Sequence, residues 1–146
     1  MILRANCTAV AIDGRAVLIE GPSASGKSSL ALALIDRGAR LVGDDGVALG
    51  VMHGCLLAGP PPATRGKIEI RNVGIAEMEC VTAPVALLVQ LTEDAPRFPD
   101  GPEWIEIENI ALPGLRLFPQ AFTLPLRVEW ALRLWGLETP RGQTAV

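Results

Sequence analysis

One stretch of eight residues decides the fold of this chain: Gly21-Pro22-Ser23-Ala24-Ser25-Gly26-Lys27-Ser28. It follows the pattern G-x-x-x-x-G-K-S, in which glycines let the backbone approach phosphate oxygens and successive N–H groups form an anion-binding nest. The lysine of this pattern supplies a mobile cation for the β- and γ-phosphates of a nucleotide, and the serine hydroxyl can ligate Mg²⁺. We therefore expect residues 21–28 to bind a nucleotide, with Lys27 on its phosphates and Ser28 on the metal.

The residues on either side of this loop support that interpretation. An apolar run at residues 16–20 is typical of a strand, and residues 27–37 are rich in leucine and alanine, as in a well-buried helix. Gly38 follows this segment at the position where a glycine often ends a helix. A strand before the loop and a helix after it favour a phosphate site over a ligand-free glycine-rich turn, because the N-terminal end of a helix attracts anions.

Further apolar runs predict strands, several of them paired as hairpins. Asp13-Gly14 and His53-Gly54 each separate two short apolar runs, as a tight turn between paired strands does. Residues 40–43, 68–71 and 104–110 are predicted strands, the last two because apolar and polar residues alternate in them. The almost continuously apolar residues 85–91 predict a central strand that is buried on both faces.

The last predicted element is a helix over residues 125–135, with a proline in its first turn and Gly136 after its end. Leu126, Trp130 and Leu134 share one face of this helix, and Trp104, Trp130 and Trp135 are expected in the core or in an interface. The chain therefore predicts an α/β fold, namely a P-loop nucleotide-binding domain with a mixed central sheet, β-hairpins and a C-terminal helix. Residues 1–146 are expected to form a single domain.

The composition excludes several classes of protein. With a formal charge of −3 and a pI near 5.1, the chain has no overall positive charge for nucleic acid or an anionic membrane, so neither is an expected partner. No apolar stretch reaches the ~18 residues of a membrane-spanning helix, and we expect a soluble, cytoplasmic protein. Cys7, Cys55 and Cys80 are far apart, which favours buried thiols in a reducing compartment over a zinc site.

Asp44 and Asp45 follow the predicted strand that comes after the first helix. In an open α/β sheet, the residues at the carboxyl ends of the strands face the ligand, beside the phosphate loop. One carboxylate can hold Mg²⁺ directly or through water, and the other can accept the proton of an attacking hydroxyl. A solvated Asp-Asp-Gly turn is the alternative, and the position behind a P-loop helix favours the functional interpretation.

Glu69 and Arg71 lie on one face of the predicted strand at residues 68–71, opposite Ile68 and Ile70. Side by side, the carboxylate could contact a metal and the guanidinium could bind a phosphate. They could equally form an exposed ion pair that contributes little to stability. The residues by themselves favour the exposed pair.

Four segments of the sequence have a familiar combination of patterns. Residues 21–28 are followed at 37–45 by Arg-Gly-Ala-Arg-Leu-Val-Gly-Asp-Asp, residues 68–75 read Ile-Glu-Ile-Arg-Asn-Val-Gly-Ile, and residues 111–117 read Ala-Leu-Pro-Gly-Leu-Arg-Leu. This combination resembles HPr kinase/phosphorylase, a bacterial protein-serine kinase family that pairs a P-loop with R-G-x-x-L-V-x-D-D and a second signature like residues 68–75. The last segment, residues 111–117, is similar to the tail of short alphaproteobacterial members, which lack the N-terminal domain found elsewhere in the family.

The resemblance implies an ATP-dependent kinase that acts on a serine of the small carrier protein HPr and reverses the modification with inorganic phosphate. It also implies Mg²⁺ as cofactor and a hexameric assembly. The roles that it assigns by position are Lys27 as phosphate clamp, Asp45 as acid/base, Ser28 and Glu69 as Mg²⁺ ligands, and Arg71 and Arg116 as supporting cations.

Three positions depart from the family pattern. Asn6 stands where the family has a catalytic histidine, Ser29 where it commonly has an acidic residue, and Asn72 where the second signature has glycine. Two hypotheses therefore remain: a protein-serine kinase, with or without phosphorylase activity, or a weakly catalytic or non-catalytic regulator that senses nucleotide or phosphate. A small-molecule P-loop kinase is less favoured, because no basic lid segment is evident in the sequence.

Overall fold

A computed structural model describes residues 1–140, which contain eleven β-strands and two α-helices. The strands are Ile2–Ala5 (β1), Thr8–Ile12 (β2), Arg15–Glu20 (β3), Arg40–Gly43 (β4), Gly46–Met52 (β5), Cys55–Gly59 (β6), Lys67–Ile70 (β7), Gly74–Glu77 (β8), Ala83–Leu91 (β9), Glu103–Ile107 (β10) and Ile110–Leu117 (β11). The helices are Lys27–Asp36 (α1) and Leu124–Trp135 (α2), and a short 3₁₀ helix covers Pro62–Thr64. None of the helices in residues 1–140 has the length and apolar character needed to cross a membrane.

Nine strands form one mixed sheet, in which β1, β5, β6, β9, β3, β2 and β4 follow one another. The central strand β9 is parallel to β3 along one edge. Along its other edge it pairs first with β6, at Ala83 and Pro84, and then with β11, from Leu88 to Leu91. The sheet therefore divides into two branches at β9, and β7 and β8 form a separate hairpin.

Two apolar cores fill the two sides of this sheet. The first, which includes Val17, Ile19 and Leu87, lies between the sheet and the two helices. The second, which includes Leu18 and Leu88, lies between β3 and β9 and the strands β5 and β6 of the other branch. Because adjacent residues of β3 and β9 face different cores, both strands are apolar almost throughout. The predicted central strand, the mixed sheet, the hairpins and the α/β class are all confirmed.

One predicted strand ends earlier than expected. Residues 104–110 were expected to form a continuous strand, but β10 ends at Ile107 and a hairpin turn leads into β11. Glu108 and Asn109 form that turn with φ values of 51° and 63°. A turn with this left-handed backbone is usually recognised in a sequence by a glycine. The Glu108-Asn109 turn contains none, so the sequence does not indicate it.

The predicted apolar face of the last helix is the exposed one. Leu126, Trp130 and Leu134 are 40%, 52% and 65% exposed. The face that packs on the first core consists of Leu124, Val128, Ala131 and Leu132. Because α2 carries apolar residues on two sides, periodicity does not decide which side faces the sheet. Trp104 is also exposed, so neither it nor Trp130 belongs to the core.

The cysteines are free, as expected, but just one of them is fully buried. Cys7 has no exposed surface, and its burial in the second core raises the pKa of the thiol from the ordinary 9.0 to about 12. Cys55 and Cys80 are partly exposed, which corrects the expectation that all three are buried.

We expect a disulfide reagent at pH 8 to modify Cys55 and Cys80 in the folded protein and Cys7 after unfolding, because the thiolate is the reactive form. Above pH 9.0 the unfolded state loses a proton from Cys7 that the folded state keeps up to about 12, so the free energy of unfolding falls across that interval. Reaction of all three thiols in the folded protein at one rate would contradict the burial of Cys7.

Candidate active site

The predicted phosphate-binding loop connects the end of β3 at Glu20 to the start of α1 at Lys27. Gly26 caps the helix with a φ of 94°, a left-handed conformation that favours glycine, and no side chain bonds to this cap. The first turn of α1 contains no acidic residue. The N–H groups of this turn are therefore left for an anion, and the helix dipole favours negative charge at the same place.

A cleft of about 260 Å³ opens at this end of the helix. Most of the predicted site residues line it: Asn6, Ser23, Ala24, Ser25, Gly26, Lys27, Ser28, Asp45, Glu69 and Arg71. Gly21 and Pro22 form the start of the loop. Asp44 and Arg116 do not line the cleft, and each has a different surrounding, described below.

The Lys27 ammonium lies against its own loop. Its Nζ donates to the carbonyl oxygen of Gly21 at 2.8 Å and to that of Pro22 at 3.2 Å. An ammonium has three donors, so one remains for a ligand in this arrangement. A phosphate oxygen is a charged acceptor and forms a stronger bond than a neutral carbonyl. We therefore expect the Lys27 ammonium to exchange its bonds to the loop carbonyls for bonds to phosphate oxygens when an anion enters the cleft.

Asp44 lies behind the cleft as a buried acceptor. Its Oδ1 accepts from the Ser28 hydroxyl at 2.6 Å and from the Thr8 hydroxyl at 3.0 Å, and its Oδ2 accepts from the Glu69 backbone N–H at 3.0 Å. These three donors come from α1, β2 and β7, so one carboxylate ties together three separate parts of the chain. Asp44 is 8% exposed, and its three hydrogen bonds offset the free-energy cost of burying a carboxylate.

Asp45, the next residue, turns in the other direction and is exposed in the cleft. Its φ of 56° is left-handed, and the tight turn that produces it requires Gly43, where a Cβ would collide with the carbonyl oxygen of Gly46. The backbone of Asp45 is held on both sides: its carbonyl oxygen accepts from the Asn6 N–H at 3.3 Å, and its N–H donates to the Thr8 hydroxyl at 3.3 Å. Asn6 and Asp45 are thus neighbours in the cleft.

The β7–β8 hairpin brings Glu69 and Arg71 to the other side of the cleft. Ile68 anchors the hairpin, because it is fully buried in the first core, and the Glu69 N–H bonds to Asp44. Neither Glu69 nor Arg71 has an ion-pair partner in the part of the chain that the structure describes. The exposed Glu69–Arg71 pair considered from the sequence is therefore not formed. Asn72 has a φ of 67° in the turn, a conformation that asparagine tolerates better than most side chains, so it can replace glycine there.

Arg116 is not brought to the cleft. It lies on β11, where it pairs with Glu103 of β10 at 2.8 Å, and it borders a different surface recess that also includes Phe98 and Asp100. Its strand is separated from β3 by β9.

Sequence reasoning missed Thr8, which bonds to both aspartates. The available signal was a polar residue within the apolar run of β2, because a buried hydroxyl needs a hydrogen-bond partner. It also missed the pair between Arg4 and Glu20, whose Nε and Oε2 are 2.5 Å apart and which ties β1 to the residue before the loop. No local pattern links two residues so far apart in the sequence.

The residues around the cleft fit a magnesium nucleotide. Mg²⁺ at such sites is usually held by one or two protein oxygens together with phosphates and waters, and not by a protein cage. The Ser28 hydroxyl and the Glu69 carboxylate are ligands of that kind, and residues 1–140 contain no cluster of three His, Cys, Asp or Glu side chains that could hold a metal alone. The buried Ser25 Oγ, which lacks a hydrogen-bond partner within these residues, is a donor that a phosphate oxygen would satisfy.

Comparison with known proteins gives a consistent result. The family model described as HPr Serine kinase C-terminal domain matches residues 3–83. An HPr kinase/phosphorylase from Clostridium botulinum is 42% identical over 47% of this chain, and one from Clostridium kluyveri is 33% identical over 73% of it. The chain spans 23% and 39% of the length of these two relatives.

The solved structure of the Hpr(Ser) kinase/phosphatase from Coxiella burnetii is similar to this chain with a TM-score of 0.79 and 30% identity. The likeness covers 91% of this chain and 95% of that one, so it extends beyond the matched family segment to the last strands and α2. The region matched by the family model holds the loop, both aspartates and the β7–β8 hairpin. This chain belongs to the family of HPr serine kinase C-terminal domains.

Proposed function

We propose that this chain is an ATP-dependent kinase that phosphorylates a serine of the carrier protein HPr, and that it also catalyses phosphorolysis of that phosphoserine. Membership of the family supports the reaction class. One observation carries the proposal: Lys27 and Ser28 from the loop and Asp45 from a separate turn line the same cleft. A phosphate clamp, a metal ligand and a base are the parts that phosphoryl transfer to a hydroxyl requires.

Each of these residues has a defined task in the proposed reaction. The N–H groups at the start of α1 and the Lys27 ammonium bind the β- and γ-phosphates, because the enzyme contributes mainly position and charge to this chemistry. The oxygen of the acceptor serine bonds to the γ-phosphorus, while the bond from that phosphorus to ADP breaks and ADP departs. Asp45 accepts the proton of the serine hydroxyl in this step. In phosphorolysis, an oxygen of inorganic phosphate bonds to the phosphorus of the phosphoserine while the bond from that phosphorus to the serine oxygen breaks, which forms pyrophosphate. The proton that inorganic phosphate loses passes through Asp45 to the serine oxygen. Arg71, at the edge of the cleft, assists with the phosphate charge.

Mg²⁺, when bound, neutralises part of the phosphate charge, and we assign Ser28 and Glu69 as the residues that hold it. Ser28 donates its proton to Asp44, which leaves its oxygen lone pairs for the metal. We assign Asp44 the task of orienting Ser28 without contacting the metal itself, since its own oxygens already accept three hydrogen bonds. We assign Arg116 no contact with the phosphates, because it pairs with Glu103 outside the cleft.

The proposed function is tested by incubating the protein with Mg-ATP and a cognate HPr and measuring the intact mass of the carrier. We expect the mass of one phosphoryl group to be added, and no change for a carrier whose acceptor serine is replaced by alanine. Addition of pyrophosphate-free inorganic phosphate to the purified phosphorylated carrier then tests the second reaction. An unmodified carrier, with nucleotide bound to the protein, would favour the regulator that senses nucleotide or phosphate.

That second candidate is favoured by Asn6, which lines the cleft and contacts the Asp45 backbone. An amide has no proton that titrates near neutral pH, so it cannot take the place of a histidine in proton transfer. A chain with an intact phosphate loop but no such relay would bind nucleotide and transfer slowly. Nucleotide binding without transfer is therefore the result that separates the two candidates.

We expect Asn6→His to raise the rate of phosphorolysis more than the rate of phosphorylation, with the largest gain below about pH 7, where imidazole begins to charge. Phosphorolysis brings two phosphate anions together and gains most from a nearby cation. Histidine tolerates the left-handed backbone of residue 6, where φ is 59°, better than most residues do. Rates in both directions are measured for both proteins across pH.

Asn109→His is the matched control, because Asn109 has a φ of 63° in the β10–β11 turn and does not line the cleft. It should change neither rate. Equal gains in the two directions, or none, would mean that residue 6 does not act on phosphate.

The proposed partners are HPr and inorganic phosphate. A hexamer stays a prediction from the family resemblance, and a cytoplasmic location stays a prediction from the sequence, which contains no apolar stretch long enough to span a membrane. The exposed Leu126, Trp130 and Leu134 of α2 supply an apolar surface that an interface between subunits would cover.

A further inference from the structure

Thr8 is an unusual residue in the floor of the cleft. It lies at the start of β2 between Cys7 and Ala9, and all three have no exposed surface. Within residues 1–140, Thr8 and Asp44 are the two polar residues that are buried. A buried hydroxyl costs free energy unless it is hydrogen-bonded, and this one uses both its donor and its acceptor.

Each of its two bonds reaches a different part of the proposed machinery. The Thr8 hydroxyl donates to Asp44 Oδ1 at 3.0 Å, and the same oxygen of Asp44 accepts from the Ser28 hydroxyl at 2.6 Å. The Thr8 oxygen also accepts from the Asp45 N–H at 3.3 Å. One hydroxyl thus connects the carboxylate that orients Ser28 to the backbone of the residue proposed as the base.

The direction of these bonds matters for the metal. Because Thr8 occupies one lone pair of Asp44 Oδ1, it limits the positions that the carboxylate can adopt when Ser28 bonds to the same oxygen. With the Asp44 carboxylate held still, the Ser28 O–H points to it and the Ser28 lone pairs face the cleft. Outer residues that orient a metal ligand in this way commonly affect metal affinity or activity by ~10–100-fold.

We infer that Thr8 is a positioning residue that holds Ser28 ready for Mg²⁺ through Asp44 and aims Asp45 at the acceptor hydroxyl through its backbone N–H. The inference rests on the proposed function for the second of these effects, and on magnesium nucleotide binding alone for the first. Thr8 touches neither nucleotide nor acceptor in this assignment.

The decisive variant is Thr8→Val, which keeps the shape of the side chain and removes the hydroxyl. Calorimetry with the ATP analogue AMP-PNP, with and without Mg²⁺, measures how much the metal strengthens nucleotide binding. We expect Thr8→Val to reduce this Mg²⁺-dependent gain by ~10-fold, since the orientation of Ser28 is lost, and to leave the affinity without Mg²⁺ near that of the wild type. Thr8→Ser, which retains the hydroxyl, should restore the gain.

Kinetics with HPr provide the second readout. Thr8→Val is expected to lower kcat by ~10–100-fold with little change in the KM for HPr, because it acts on the orientation of groups and not on carrier binding. Thr123→Val is the matched control: its hydroxyl accepts from Arg127 at the start of α2, away from the cleft, and its loss should change neither readout.

The inference is overturned if the folded Thr8→Val protein shows the wild-type increase in AMP-PNP affinity on addition of Mg²⁺. A lower melting temperature together with that result would indicate that Thr8 has a structural role only. If Thr8→Val does not fold, Thr8→Ser and Thr8→Cys give the same comparison, since cysteine matches serine in size but is a weak hydrogen-bonding group. A wild-type protein that transfers no phosphate to HPr overturns the proposed function, and the calorimetric result still decides the role of Thr8.

Discussion

Asp45→Asn is expected to reduce phosphoryl transfer to HPr by ~10²-fold or more while nucleotide still binds. The amide cannot accept the proton of the attacking serine, but it has nearly the same size as the carboxylate. Asparagine also tolerates the left-handed backbone of residue 45, where φ is 56°, so the turn and the nearby Asp44 should keep their positions. The measurement is the initial rate of carrier phosphorylation, with nucleotide affinity from calorimetry.

Asp13→Asn is the matched control, because Asp13 has a φ of 50° in the β2–β3 turn and lies outside the cleft. Its rate should equal that of the wild type. If Asp45→Asn retained near wild-type transfer, the role of base would move to Glu69, the other carboxylate that lines the cleft. Asp44 is the weaker substitute, since it is buried and already accepts three hydrogen bonds.

Lys27→Ala should weaken nucleotide binding by ~10–100-fold, which corresponds to the loss of about one hydrogen bond from a charged donor. The variant removes the ammonium that now rests on the Gly21 and Pro22 carbonyls and that we propose moves onto the phosphates. Alanine is a good helix former, so α1 should still begin at residue 27. Calorimetry with ATP measures the affinity.

Lys67→Ala serves as the control for the loss of a lysine, because Lys67 lies at the start of β7 and does not line the cleft. Its affinity for ATP should match that of the wild type. An unchanged affinity in Lys27→Ala would show that residues 21–28 are not the nucleotide site.

Short-range patterns predicted most of the local structure correctly. The Asp13-Gly14 and His53-Gly54 turns, the loop at residues 21–28 and the helix after it are present in the fold, because each depends on the conformational preference of a few adjacent residues. Three strands, β1, β8 and β11, were not predicted. The first two are short and largely exposed, and β11 contains a proline and a glycine that disguise it.

The candidate site was predicted in part. Residues 23–28 of the predicted loop, together with Asp45, Glu69 and Arg71, line one cleft. The family resemblance also implies a role for Arg116 as a supporting cation. In this fold Arg116 pairs with Glu103 on the far side of β9 from β3. A sequence pattern shows that an arginine is present at residue 116. It does not show that Arg116 lies two strands from β3 and pairs with Glu103.

The sequence by itself determined that a glycine-rich loop lies between a strand and a helix, and it predicts that this loop binds phosphate, since its eight residues contain the glycines, the lysine and the serine that such a site needs. The tertiary structure decided what surrounds that loop. Thr8, Ser28, Asp44 and the Glu69 N–H meet because β2, α1, the turn after β4 and β7 pack against one another. Hydrogen bonds of this kind depend on distances of about 3 Å between atoms of distant residues, which packing sets and local sequence does not.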